Sequence, residues 1–283
     1  MQKIALITDS ASDISVELLK ENSIKLLPFR VIYKDGEEYE ERIELTSEMM
    51  YERLEKEIPT TSLPSIEKIT NTLNEAVKEG YTHAIIITIS QALSGTYNAC
   101  RLVCEDFEGL ETFVFDSKTL TMAEGAMVLN AANMIKENRS FDEIVETLPK
   151  LRDKIDLFFT IDTLEYLKKG GRIGKVAGTV GEFLNLKPII TVADDGTYRT
   201  AAKARGSKQA VSKLINIFKS YEGKGNYRVW FFDGNGKDKV KTLCDGIKEL
   251  PHCKECIFAG TIAPSLGINT GPGLVGCAIE KVD

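Results

Sequence analysis

Three short stretches concentrate neutral hydroxyl donors. They are Thr60-Thr61-Ser62-Leu63-Pro64-Ser65, Ser90-Gln91-Ala92-Leu93-Ser94-Gly95-Thr96-Tyr97 and Asp116-Ser117-Lys118-Thr119. Ser and Thr routinely cap helices, and Ser65 and Thr121 read as caps. Ser94-Gly95 admits a second reading, because it follows the apolar run Ala84–Ile89 and opens a helical pattern. Ligands of open α/β sheets bind at the carboxyl edge of the strands, and helix N-termini attract anions through their free N–H groups and the macrodipole. A hydroxyl there donates to a carboxylate without bringing a charge. The chemistry on offer is anion binding by neutral donors, with capping as the alternative.

Other chemistries lack their residues. Gly271-Pro-Gly273-Leu-Val-Gly276 matches a dinucleotide-binding pattern by letters, but only seven residues follow Gly276 and no strand-to-helix context is available. No phosphate loop exists, and Ala263-Pro-Ser265-Leu-Gly267 lacks the first glycine of a nucleophile elbow. Two histidines, His83 and His252, are a poor inventory for acid–base catalysis. His252, Cys253 and Cys256 cluster, yet a structural zinc site needs four ligands, so no metal is expected. Cys100 and Cys104 share a helix face and read as small buried hydrophobes.

The elements that must position these residues alternate. Lys3–Thr8, Ile24–Tyr33, Ala84–Ile89 and Thr112–Phe115 read as strands; Ile14–Asn22, Ser47–Ile58, Ser65–Glu79, Gly95–Asp106 and Thr121–Asn138 read as helices. Ser140 with Glu143 is a capping box opening a further helix. Strands alternating with helices imply a doubly wound, mainly parallel sheet. Near residue 155 the rhythm changes. Asp156–Ile161 is a strand, Lys169-Gly-Gly-Arg-Ile-Gly174 is Gly-rich, and Asp194-Asp195-Gly196 signals a hairpin. Helices at Ser207–Tyr221 and Lys237–Glu249 then alternate with strands at Asn226–Phe232 and Glu255–Thr261. The expectation is an α/β protein: a Rossmann-like domain over 1–154 holding the ligand, and a smaller two-layer α/β domain over 155–283, with its cleft between them.

Apolar residues make up 43% and charged residues 28%, and the net charge is −6. That balance suits a folded globular chain and offers no broad basic surface for nucleic acid. Residues 1–8 lack the apolar stretch of a signal peptide, and no run reaches the ~18 apolar residues of a membrane span. A cytoplasmic address without membrane insertion is expected.

Thr8-Asp-Ser-Ala-Ser-Asp13, Thr61-Ser-Leu-Pro-Ser65, Leu93-Ser-Gly-Thr-Tyr97, Phe115-Asp-Ser-Lys118, Leu167-Lys-Lys-Gly-Gly-Arg-Ile173 and Gly271-Pro-Gly273 occur in an order that resembles the DegV family across essentially the whole chain. The resemblance implies a Rossmann-like domain joined to a smaller α/β domain. It also implies a non-catalytic protein that encloses a long-chain fatty acid and, in kinase-coupled members, presents the carboxylate to a separate fatty acid kinase. By position it implies Thr61 and Ser94 as carboxylate-holding hydroxyls, and Arg172 and Arg205 as cations near the pocket mouth that engage the partner. Asn269 stands where kinase-coupled relatives carry histidine, and asparagine hydrogen-bonds a carboxylate without becoming cationic. The ligand expected is the fatty acid alone, with no other cofactor. A lipid-responsive regulatory module and, more remotely, a hydrolase or phosphotransferase using the Ser94 loop are the competing readings.

Overall fold

The structure, a computed structural model, describes residues 2–179 and 186–282. The first half runs β1 (Ile4–Asp9), α1 (Val16–Glu21), β2 (Ile24–Leu27), β3 (Arg30–Ile32), β4 (Glu38–Glu40), α2 (Ser47–Leu54) and β5 (Thr60–Ser62). It continues through α3 (Ile66–Lys78), β6 (His83–Thr88), α4 (Thr96–Glu105), β7 (Glu111–Asp116), α5 (Thr121–Lys136) and α6 (Phe141–Arg152). The second half holds β8 (Ile155–Thr160), α7 (Glu165–Lys169), β9 (Leu186–Val192), β10 (Tyr198–Arg205), α8 (Ser207–Lys219) and β11 (Tyr227–Gly234). It ends with α9 (Lys237–Ile247), β12 (Cys253–Thr261), α10 (Pro264–Thr270) and β13 (Leu274–Lys281).

The expected α/β architecture is present. Strands β2, β1, β6 and β7 lie in that order in a parallel sheet. β1 and β6 are apolar almost without a break because both faces are covered. Leu6, Ile85 and Ile87 meet Val128, Phe141 and Ile144 on one side; Ile7 and Ile86 meet Ile69, Leu73 and Cys100 on the other.

The apolar run Ile24–Tyr33 is not one strand. Pro28 has no N–H to give a ladder, and the chain leaves the parallel sheet there. β3 instead centres a small antiparallel sheet in the order β4-β3-β5. The Thr60–Ser62 part of the first hydroxyl stretch is therefore a strand, with Thr61 opposite Val31.

A second, mixed sheet has the order β10-β9-β8-β13-β11-β12. β13 is an interior strand, antiparallel to both β8 and β11, although its sequence suggests only the tail of a failed glycine motif. Helices α8 and α9 cover one face through Leu214, Phe218 and Leu243. The other face meets α5: Met122, Ala123 and Ala126 share a cluster with Phe159, Trp230, Phe232 and Ala278. α5 also packs its Val128, Ala131 and Ala132 on the parallel sheet. A helix pressed between two sheets must be apolar nearly all round, and its residues Thr121–Val128 are buried without interruption. No helix among the described residues is long and apolar enough to cross a membrane.

Candidate functional site

β1 and β6 are neighbours from which the chain winds outward in opposite directions, to β2 and to β7, and the crevice at such a reversal is the usual ligand position of an open α/β sheet. Asp9 closes the floor of that crevice. Its Oδ1 accepts from Ala11 N at 3.0 Å and its Oδ2 from Ile89 N at 2.9 Å, tying the carboxyl ends of both strands.

Above it lies a cavity of about 160 Å³ between the domains. Its polar wall carries Thr61, Ser94, Arg172, Tyr198, Ser265 and Asn269; its apolar wall carries Phe29, Leu63, Ile89, Leu93 and Leu266. Those five apolar residues all belong to, or pack on, the cluster shared by the two domains. Beyond Thr61, Arg172 and Asn269 the surface opens into a groove of about 560 Å³ that includes Lys34, Lys56 and Lys169.

Each polar residue arrives by a different route. Thr61 is held by the β3–β5 ladder. Ser94 precedes α4, whose N-cap Gly95 offers no side-chain cap; its Oγ lies 2.8 Å from Thr96 Oγ1 and accepts from Thr96 N at 3.4 Å. Asn269 Nδ2 donates to Ser265 O at 2.8 Å within α10, leaving its second N–H available. Gly170 leaves room for the Asn269 amide, since a Cβ there would lie 2.1 Å from Asn269 Oδ1 and push that side chain aside. Arg172 reaches back to the Ser94 loop, with Nε donating to Leu93 O at 3.4 Å and Nη1 to Gly170 O.

Thus Thr61, Ser94, Asn269 and Arg172 come together at the cavity. Arg205 does not. It is exposed at the far end of β10, seven residues from Tyr198 and so roughly 23 Å along the strand.

Tyr198 carries no signal in the sequence, and Ser265, weighed there only as a failed nucleophile elbow, is not expected at an anion site. Pro264 at the first position of α10 was the signal for Ser265, since proline marks helix starts. Behind Ser265 stands Glu41, wholly buried. Its Oε1 accepts from Ser10 Oγ at 2.5 Å and from Ser265 Oγ at 2.9 Å, and its Oε2 accepts from Ser265 N at 2.5 Å. Asp13 Oδ1 similarly accepts from Ala263 N at 2.7 Å. Two carboxyl groups of the first domain therefore hold the start of α10.

Burial dominates the electrostatics of this floor. It lifts Asp9 and Asp13 from 3.8 to about 7 each, partly opposed by backbone donors at Asp9 and by Arg42 at Asp13. It also raises Glu41, against the pull of its three donors. Glu124 is pushed well above the carboxylate range by burial and by the adjacent Asp9, against the Thr8 hydroxyl that donates to it at 3.2 Å. Tyr198, wholly enclosed, is raised as well.

Neither histidine reaches the cavity. His252 is buried against Phe218, its Nε2 2.9 Å from Phe218 O, and His83 opens β6 beside Glu111. The site can hold an anion among neutral donors with one guanidinium beside it, and can shelter hydrocarbon next to it.

A family model described as "Uncharacterised protein, DegV family" matches residues 3–282. A DegV domain-containing protein of Clostridium acetobutylicum is 43% identical over 279 residues, covering 99% of each chain. Among solved structures, a DegV family protein from Thermus thermophilus described with "Fatty Acid Binding" superposes with a TM-score of 0.92 at 30% identity, covering 99% of this chain and 100% of that one. A stearic acid-binding protein from Eubacterium ventriosum superposes with a TM-score of 0.89 at 27% identity, covering 99% of this chain and 98% of that one. With that agreement along its whole length, the chain belongs to the DegV family.

Proposed function

We propose that the protein binds one long-chain fatty acid, holding the carboxylate among Thr61, Ser94 and Asn269 and the tail against the apolar cluster between the domains. One observation carries this reading: a single cavity joins uncharged hydroxyl and amide donors to an apolar wall continuous with that shared cluster. The stearic acid bound by the Eubacterium relative supports the same ligand class.

The magnitudes assign the roles. Burying an acyl chain contributes about 0.8 kcal/mol per CH₂, so roughly fourteen methylenes give about 11 kcal/mol before ordering costs. Hydrogen bonds to a charged acceptor add about 1.5–3 kcal/mol each. The tail sets affinity and the hydroxyls set orientation. Arg172 and the lysines of the adjoining groove attract an anionic head to the opening.

The function is carriage or presentation rather than catalysis. Both histidines are engaged away from Ser94, Thr61 and Ser265, and the carboxyl against Ser265, that of Glu41, is wholly buried and taken up by Ser10 and the start of α10. Arg172, exposed and lining the adjoining groove, suits the protein to contact a separate fatty acid kinase, while Asn269 supplies a neutral donor where a titrating histidine would serve a coupled relative. The compartment that fits the chain's six free thiols is the cytoplasm.

The test is direct. Protein purified under native conditions is denatured and extracted with organic solvent, and the extract is analysed by mass spectrometry. One fatty acid per chain is the expected result. An extract without acyl species, together with no uptake of added palmitate by the refilled protein, removes the proposal.

A further inference from the structure

Cys253-Lys-Glu-Cys256 is a C-x-x-C sequence that fatty acid binding does not use. It opens β12, the outer strand of the mixed sheet. In a regular strand, residues three apart point to opposite faces. Here the register slips: Tyr227 pairs with Cys253 but Arg228 pairs with Glu255, so Lys254 is an extra residue on β12. Such a bulge turns the following side chains over. It brings Cys253 and Cys256 to one face, with their sulfurs 3.3 Å apart. Both are half-buried at the edge of the core that α8 and α9 make on the sheet, and the Cys244 thiol of α9 lies against the same pair.

We propose that Cys253 and Cys256 form a redox-active dithiol that closes to an intrachain disulfide by exchange with low-molecular-weight disulfides. The Cys253 thiolate attacks one sulfur of RSSR, forming a mixed disulfide and expelling RS⁻. Cys256 then gives up its proton and attacks Cys253 Sγ, expelling the second RS⁻. The two protons of the dithiol end on the two released thiols, so RSSR is reduced by two electrons as the pair is oxidised.

The assignment of attacker and resolver follows from the surroundings. The contact between the two sulfurs lowers the Cys253 thiol, while the same contact and burial raise Cys256. Low-lying thiols in C-x-x-C sequences are the reactive ones. The remaining thiols are poor competitors. Burial raises Cys100 and Cys104 and lifts Cys277 to about 12, and burial beside Asp245 raises Cys244.

The folded full-length protein is incubated with hydroxyethyl disulfide and followed by intact mass and tryptic mapping. The expected product has lost two hydrogens and retains no adduct. Its map links the peptide ending at Lys254 to the one beginning at Glu255, with fragmentation placing the bridge on Cys256 rather than on Cys277, which shares that peptide. In Cys256→Ser the adduct persists on Cys253, because no resolving thiol remains. Stable separate adducts on Cys253 and Cys256 in the native protein overturn the proposal. So does a bridge to Cys244, or an unreacted pair under conditions that modify Cys244.

Discussion

Replacing Ser94 by alanine removes one donor from the polar end of the cavity and leaves its apolar wall intact. The hydroxyl also contacts Thr96 Oγ1 and accepts from Thr96 N, so the substitution loosens the start of α4 for every ligand alike. Comparing a free acid with its methyl ester cancels that shared loss. A hydrogen bond to a carboxylate contributes about 1.5–3 kcal/mol, and one to a neutral ester about 0.5–1.5 kcal/mol. The difference, about 1–1.5 kcal/mol, is roughly five- to tenfold in the ratio of dissociation constants. Displacement of a fluorescent acyl probe by palmitate and by methyl palmitate measures that ratio in both proteins. Leu266→Ala is the control. It removes wall without touching a donor, so it weakens both ligands, by about 2 kcal/mol for three lost carbons, and leaves the ratio alone. Equal weakening of acid and ester by Ser94→Ala would show that Ser94 does not read the head group.

The other expectations concern the floor and the walls. Asp13 rises from 3.8 to about 7 on burial, so the folded chain binds protons that the unfolded chain has released, and stability falls as pH rises between about 4 and 7. Asp13→Asn stays neutral and still accepts from Ala263 N, so its urea-unfolding free energy should lose less across that window than the wild type, by up to about 4 kcal/mol; parallel pH curves refute this. Glu41→Ala strands the Ser265 N–H and two hydroxyls and should cost about 3–5 kcal/mol in thermal or urea unfolding, with Glu41→Gln milder; an alanine variant within about 1 kcal/mol of the wild type would contradict the packing described. Gly276→Ala sets a methyl 2.6 Å from Phe232 and 2.7 Å from Phe159, and overpacking of this kind costs about 1–3 kcal/mol; an unchanged urea midpoint would mean the two rings yield freely.

Sequence periodicity reached the parallel sheet because β1 and β6 are covered on both faces and their apolar runs are unmistakable. It failed where tertiary pairing decides. β5 is a strand only because β3 turns away at Pro28 and needs a partner, and Thr-Thr-Ser alone does not announce that. β13 carries two glycines' worth of punctuation just before it, yet is inserted between β8 and β11, and its pairing with β8 joins residues more than a hundred positions apart. The hydroxyls at Thr61 and Ser94 were legible through family order and through the rule that ligands sit at strand ends. Ser265 and Glu41 were not, since their meeting joins positions 224 apart. Arg205 shows the converse: a matching position in the sequence lies well away from the cavity in space.

That topology also bears on where the hydrocarbon tail of the proposed ligand goes. The clusters on either face of the parallel sheet are made of fully buried side chains such as Ile85, Ile86, Leu73 and Ile144, and interiors packed to crystal density do not admit a chain without breaking their contacts. The cluster between the domains touches the cavity through Phe29, Ile89 and Leu266, and its rim includes partly buried Leu93 and Leu164 together with Leu63 and Leu129, which it shares with the clusters of the parallel sheet. A cavity of about 160 Å³ matches the ~150 Å³ that holds a benzene-sized apolar ligand, so it takes a head group and the first carbons. The remainder of the tail must displace side chains, and those of the rim already border solvent on one side and surrender the fewest contacts. For the proposed fatty acid, the contacts of Phe29, Ile89 and Leu266 with the cavity set the expected path of the tail along the seam between the sheets, beside α5.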